Sequence, residues 1–343
     1  MKLRWPLVVG LGAGALVGRS AVRRMRGAPD PFAGELLMLP SDSTERMVPT
    51  HDGGQLLVVE RGDVDAQPLV LLHGLAMQAS TWCYQLHDLS DRFRVIAIDQ
   101  RGHGQSGTGA DGYALTAFGD DVASVLAGLD LRDAIVVGHS LGGAGLMRFC
   151  RDHRDVLGSR VAGLVFASNG PGFEVSEKAM QTVRSTSAAV LRAIARTRAW
   201  GWYRWRLRDN DLSYAFLRPY FGRTPSNTHI EWTRRMAEEC EPEAMVRSAF
   251  AMADHDGIRV LRQTHTPSLV VVGSNDLMSP PRFARRIADA LPNGQLEIID
   301  GAGHQVMLER PAELAKALIG FADSLAVQHR DASTPDPGRS AEG

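Results

Sequence analysis

Six short apolar runs recur along the chain, each separated from the next by a stretch of helical pattern: Leu69–Leu72, Val95–Ile98, Ala134–Val137, Val161–Ala167, Ser268–Val272 and Leu296–Ile299. A strand with one wet face alternates apolar and polar residues. Runs without that alternation suit strands buried on both faces, as in parallel sheets. Parallel neighbours need a crossover connection, and the helical stretches supply it with the usual right hand. Helices are expected at Ser80–Leu89, Thr116–Leu129, Leu141–His153, Pro281–Leu291 and Pro311–Ser324. Pro281 and Pro311 stand near helix starts, where the missing N–H is harmless. Ahead of the first run, Arg46–Thr50 and Gln55–Arg61 flank His51-Asp-Gly-Gly54, a hairpin signal. The expected fold class is α/β: a mostly parallel sheet flanked by helices.

The spacing breaks between Phe173 and Thr266. That stretch lacks a buried-strand signal, reads as helices and is rich in aromatics, among them Trp200, Trp202, Trp205, Tyr220 and Trp232. It predicts a helical cap, residues 173–266, inserted between two strands of a core made of residues 46–172 and 267–324. Most of its aromatics are expected to pack the cap itself. The 343 residues, of which 44% are hydrophobic, suffice for one large core plus such an insertion. Residues 27–45 read as a linker. Residues 325–343, polar and holding Pro335, Pro337 and Gly338, read as a disordered tail.

At the start of the chain, Lys2 and Arg4 precede an apolar, glycine-rich run from Trp5 to Gly18, and Arg19, Arg23, Arg24 and Arg26 follow. Residues 1–26 therefore form a candidate membrane anchor or signal-like segment. The run is short beside the roughly 20 apolar residues of a span, so a peripheral helix is the competing reading. Were it to span, the heavier positive charge after it would keep the remainder cytoplasmic. Location is thus left between membrane-associated and cytoplasmic. Gly10-Leu-Gly-Ala-Gly14-Ala15 matches a dinucleotide fingerprint, but no strand precedes it and no βαβ unit follows, so a nucleotide site is rejected. A formal net charge of −1 gives no reason to expect nucleic acid. Cys83, Cys150 and Cys240 are too few and too scattered for a disulfide framework or a zinc pattern.

Chemistry concentrates at Gly138-His139-Ser140-Leu141-Gly142, set between the run Ala134–Val137 and a helix. With 35 glycines in the chain a bare G-x-S-x-G carries little weight; one joining a buried strand to a helix is a nucleophile elbow. The turn is sharp, so the flanking positions are glycine and Ser140 sits strained at the apex. A serine hydroxyl needs a base, and the base needs a carboxylate to orient it. Asp276 follows the run Ser268–Val272 and His304 follows Leu296–Ile299. The order Ser, acid, His is the one this elbow accompanies, and strand C-terminal ends are where open α/β sheets bind ligands. The competing readings are a turn aspartate, with Asp300 as a rival acid, and a loop histidine. The oxyanion hole is assigned to the backbone N–H groups of Leu75 and Leu141, with Gly74 letting the substrate approach the backbone. Gly74, Trp82 and His139 are the expected substrate-side neighbours.

Residues 46–324 resemble the α/β-hydrolase superfamily, in particular its capped, cofactor-free esterase, lipase and haloperoxidase-like branch. The resemblance rests on His73-Gly74, Asp99-Gln-Arg-Gly-His-Gly-Gln-Ser106, the elbow Gly138–Gly143, Gly273-Ser-Asn-Asp276 and Gly303-His304. It implies that Asp99 and His103 are scaffold and that His139 supports the site. Relatives that open haloalkanes or epoxides use an aspartate nucleophile, so Ser140 disfavours those reactions. The expected activity is hydrolysis of a small-molecule carboxylic ester, apolar or lipid-like, through an acyl-enzyme, with no cofactor and no metal. Carbon–carbon or lactone hydrolysis, acyl transfer, and a hydrolase-fold ligand receptor are the alternatives.

Overall fold

The computed structural model describes residues 25–35, 37–171, 210–252 and 257–333. Among them eight strands form one sheet in the order β1-β2-β4-β3-β5-β6-β7-β8. Strands β1 (Thr44–Pro49) and β2 (Gln55–Arg61) make the expected hairpin, and β2 runs antiparallel to β4 (Arg94–Ile98). From there all pairings are parallel, through β3 (Pro68–Leu72), β5 (Ala134–His139), β6 (Val161–Ala167), β7 (Ser268–Gly273) and β8 (Gly294–Ile299). Strands β4, β5, β6 and β7 are buried along their whole length, while β1 and β8 are largely exposed edges.

Alternate residues of each central strand feed opposite faces of the sheet. Leu69, Leu71, Ile135, Val137 and Val165 enter one core layer, with Trp82, Leu86 and Phe321. Val70, Leu72, Val136, Leu164 and Val270 enter the other, with Val125, Phe149 and Ile287. A 3-10 turn (Ala79–Trp82) leads into α1 (Cys83–Asp88), which covers the first face. The second face carries α2 (Leu115–Gly128), α3 (Leu141–Asp152) and α4 (Arg154–Arg160). Between β6 and β7 lie the helices of the insert: α5 (Asp211–Leu217), α6 (Asn227–Glu239), α7 (Pro242–Met252) and α8 (Gly257–Leu261). Helix α9 (Pro281–Ala290) follows β7, and α10 (Val306–Glu309) and α11 (Pro311–Ser333) close the chain.

Several expectations meet a different outcome. The last helix does not stop at Ser324 but continues to Ser333, because Leu325 is still packed on Phe321 and its neighbours in the core. Helix α4 occupies a stretch left unassigned by the pattern. The segment read as a linker docks: Leu37 is buried, and the Asp30 carboxylate accepts from Thr228 N–H (2.8 Å), Thr228 Oγ1 (2.9 Å) and Ser226 Oγ (3.0 Å) at the start of α6. Trp200, Trp202 and Trp205 lie outside the described residues, as do residues 1–24, so the anchor reading stands where it did. Among the described residues no helix is long and apolar enough to cross a membrane. Each cysteine is free and buried, Cys83 in one core layer, Cys150 in the other and Cys240 in a small cluster of the insert.

Candidate active site

Strand order brings the first two pieces of the site together. The chain steps from β3 outward to β4, then returns to lay β5 on the other side of β3. At such a switch point the loops after two adjacent strands part and leave a crevice. The loops are His73-Gly74-Leu75 after β3 and Ser140-Leu141 after β5. The register pairs Leu72 with Gly138, and the Gly142 N–H donates to His73 O (3.1 Å).

The elbow has the strained geometry its sequence demands. Ser140 has φ +49° and ψ −109° and is partly exposed, a conformation costly for any residue with a side chain. The close packing explains the glycines. A Cβ on Gly138 would lie 2.7 Å from the Gly143 backbone, and one on Gly142 would lie 2.6 Å from Leu72 O. Two bonds pin the apex, Ser140 N–H to Ala167 O (3.2 Å) and Asn169 Nδ2 to Ser140 O (2.9 Å).

Asp276 and His304 meet as the sequence proposed. His304 Nδ1 lies 3.0 Å from Asp276 Oδ2. A carboxylate can only accept, so Nδ1 carries the proton and Nε2 is the basic end. Asp276 Oδ1 also accepts from the N–H groups of Met278 and Ser279, both at 2.8 Å. Burial alone would push the Asp276 carboxyl up, but the His304 ring and these donors outweigh it and hold it below the usual carboxylate range. Asp276 is thus both a turn residue and the partner of His304, whereas the rival Asp300 is exposed and accepts from Ser274 Oγ (3.0 Å). Among the described residues the Ser140 hydroxyl makes no hydrogen bond. Such contacts often tighten only when substrate binds.

His139 lies under the site. It is buried, its ring centroid is 4.9 Å from that of His304, and its Nε2–H donates to His304 O (3.0 Å). Burial, then the neighbouring His304, push its pKa down to about 3, so it is neutral. Gly74 packs against the same ring, 2.7 Å separating a would-be Cβ from His139 Nδ1. The N–H groups of Leu75 and Leu141 donate to no carbonyl among the described residues. Trp82 corrects one expectation. It is wholly buried among the residues of α1 and α10 below the sheet, because its indole fills the core layer there, and it presents no surface to a ligand. Asp99 is scaffold, accepting from Ala79 N–H (2.6 Å) and Gln105 N–H (2.8 Å), and buried His103 bonds Arg101 O (3.0 Å).

Three further neighbours carry no local signature in the sequence. Ser279 touches both Asp276 and His304. Tyr220, from the insert, accepts the His304 N–H on its carbonyl (2.8 Å) and sets its ring edge-on to the imidazole, at 5.9 Å. Buried Glu309 accepts from Gly222 N–H (2.6 Å) and Gly303 N–H (2.8 Å), lashing the insert to the His304 loop. That seam needs glycine, since a Cβ on Gly303 would lie 2.4 Å from Gly222 N. Elsewhere His51, Asp111 and Asp120 hold ligand-type atoms within 4.8 Å of one another. They lie at or near the surface, hydrogen-bonded as His51 to Asp111 (3.1 Å) and His153 to Asp120 (2.6 Å), and include none of the residues above.

A family model described as the alpha/beta hydrolase family matches residues 69–317. The chain is 29% identical over 265 residues to a non-heme chloroperoxidase of Kitasatospora aureofaciens, covering 76% of this chain and 92% of that protein. Among solved structures it is similar to the esterase RhEst1 of a Rhodococcus species, with a TM-score of 0.67 and 26% identity over 82% of this chain and 99% of that one. An esterase of Exiguobacterium antarcticum, at 21% identity and a TM-score of 0.68 over 82% of this chain and 100% of its own, shares the fold.

Proposed function

The chain belongs to the alpha/beta hydrolase family, and we propose that it works there as a serine hydrolase, cleaving apolar or lipid-like carboxylic esters through an acyl-enzyme. The observation that carries this reading is the His304–Asp276 pair at the edge of the sheet where Ser140 stands strained at its elbow. Ser140 Oγ attacks the ester carbonyl while His304 Nε2 takes its proton, and Asp276 steadies the imidazolium. The N–H groups of Leu75 and Leu141 receive the oxyanion, each such donor contributing about 2.7–4 kcal/mol to the transition state. His304 then protonates the leaving alcohol. In the second half it draws a proton from water, which attacks the acyl carbonyl, and returns that proton to Ser140 Oγ as the acyl–Oγ bond breaks and the acid leaves.

The preference for apolar substrate rests on the walls. Leu75 and Tyr113 join apolar clusters with Ala244 and Met245 of α7, and Leu141 packs with Leu115, Phe118 and Ala144 near Met252. Leu277, beside Asp276, is exposed. The partly exposed members of these clusters, Leu75, Tyr113, Met245 and Met252, put apolar surface near the oxyanion donors. Esterases among the similar structures support the same class of reaction.

The test is labelling with a fluorophosphonate probe followed by peptide mapping, beside a panel of p-nitrophenyl and glyceryl esters of graded chain length. Ser140 is expected to carry the label, and Ser140→Ala to abolish both label and turnover. His304→Ala is expected to lower kcat by a factor on the order of 10⁴ to 10⁶. A folded protein whose Ser140 stays unlabelled overturns the reading.

A further inference from the structure

Ser279 Oγ sits 2.9 Å from Asp276 Oδ2, 3.1 Å from His304 Nδ1 and 2.8 Å from Ser168 O. A hydroxyl owns one proton and faces here two acceptors and one N–H donor. Whichever acceptor takes that proton, the other is left facing bare oxygen. We propose that Ser279 is a positioning residue of the His304–Asp276 pair: its oxygen takes a share of the His304 Nδ1 proton, and its own proton turns from Asp276 to the Ser168 carbonyl when His304 becomes charged. The inference rests on the reading of His304 as the base.

The chemistry of the two states gives the direction. While His304 is neutral, the hydroxyl donates best to the ionised Asp276, because hydrogen bonds to a charged acceptor are the stronger ones. Once the imidazolium forms, its Nδ1–H carries positive charge and draws the lone pairs of both Asp276 Oδ2 and Ser279 Oγ. With Asp276 Oδ2 more fully engaged by the imidazolium, the hydroxyl proton turns to Ser168 O, the second acceptor within reach at 2.8 Å. The swing breaks one O–H···O bond and makes another, with no net transfer.

Both ends of this device are held in place. Ser168 is buried, has φ +52° and ties its N–H to Val271 O (2.8 Å). Ser279 is buried too, its N–H rests on Asp276 Oδ1, and Pro280 follows it at the head of α9. An apolar side chain at position 279 would fill the space and leave both the Ser168 carbonyl and the second half of the Nδ1 contact without a partner. Among the described residues the His139 and Tyr220 rings also lie against His304, and neither hydrogen-bonds Nδ1.

The experiment compares the full chain with Ser279→Ala and Ser279→Thr. On the best ester of the panel, Ser279→Ala is expected to lower kcat about tenfold with KM within about twofold of wild type, since the hydroxyl acts on the charged state of His304 and not on bound substrate. Ser279→Thr keeps the hydroxyl and should recover most of the loss. Independently of turnover, in protein labelled with ¹⁵N-histidine the low-field proton on His304 Nδ1 should shift on Ser279→Ala, with Ser140→Ala as background. An unshifted resonance overturns the proposal even if the esterase activity stands. A shifted one supports it even if no ester is turned over, so the two claims fail separately.

Discussion

Glu309 shows how a single buried side chain can set both local geometry and pH response. Burial pushes its carboxyl up to about 7, and the N–H groups of Gly222 and Gly303 pull against that without cancelling it. The folded chain therefore holds this proton more tightly than the unfolded chain, whose glutamate titrates near 4.5. What Glu309 contributes to stability is then fully present below about 4.5 and fades as pH rises to about 7. Glu309→Gln removes the titration but turns an amide NH₂ toward one of the two backbone donors. The variant is expected to be clearly less stable than wild type at pH 5, with the gap narrowing toward pH 8, as read from denaturant midpoints across that range. Neither Glu309 nor Ser279 was legible in the sequence. Their partners lie in other loops, and a carboxylate after a histidine or a serine before a proline has no local signature. Ser140, Asp276 and His304 were legible because each stands just past a strand marked by an apolar run, buried along its length in β5 and β7 and an exposed edge in β8. Trp82 misled for the same kind of reason: indole is as much a core filler as a binding surface, and only packing decides between them.

Helix α6 begins under a carboxylate that does not belong to its own segment. Asp30 supplies acceptors to Thr228 and Ser226, while Ser226 Oγ itself receives the His229 N–H (3.1 Å). Burial would raise the Asp30 carboxyl, but the Thr228 and Phe32 N–H donors and the hydroxyls outweigh it and lower its pKa. Asp30→Ala is expected to cost about 1 kcal/mol, the usual worth of a helix N-cap. The loss should appear as a lower denaturant midpoint at pH 7 and vanish as pH falls through the carboxylate range, where wild type loses the same bonds. The strands and the helices that cross over them could be read from the sequence, because burial on both faces leaves no polar residue to hide the pattern. The docked arm could not. Its contacts join Asp30 to residues 226 and 228, Arg26 to Asp211 (3.3 Å) and Glu35 to Tyr84 (2.5 Å), and nothing in a polar stretch with prolines announces a distant partner.

At the scale of the whole molecule, two apolar layers enclose the sheet and a thinner set of helices sits beyond its C-terminal edge. The layers share strands, so they should open together, whereas the small cluster around Ala237, Cys240 and Ala244 should give way at milder denaturant. Each of these three regions holds one buried thiol, and burial pushes Cys83, Cys150 and Cys240 alike up to about 12. Pulsed alkylation with mass spectrometry is expected to modify Cys240 at a lower urea concentration than Cys83 and Cys150, which should react in step with each other. Simultaneous modification of all three would mean that insert and core unfold as one unit. With all three thiols buried in the native chain, a thiol reagent meets them only as each region opens, so the molecule comes already fitted with a separate clock for each of its regions, needing no introduced label to be read.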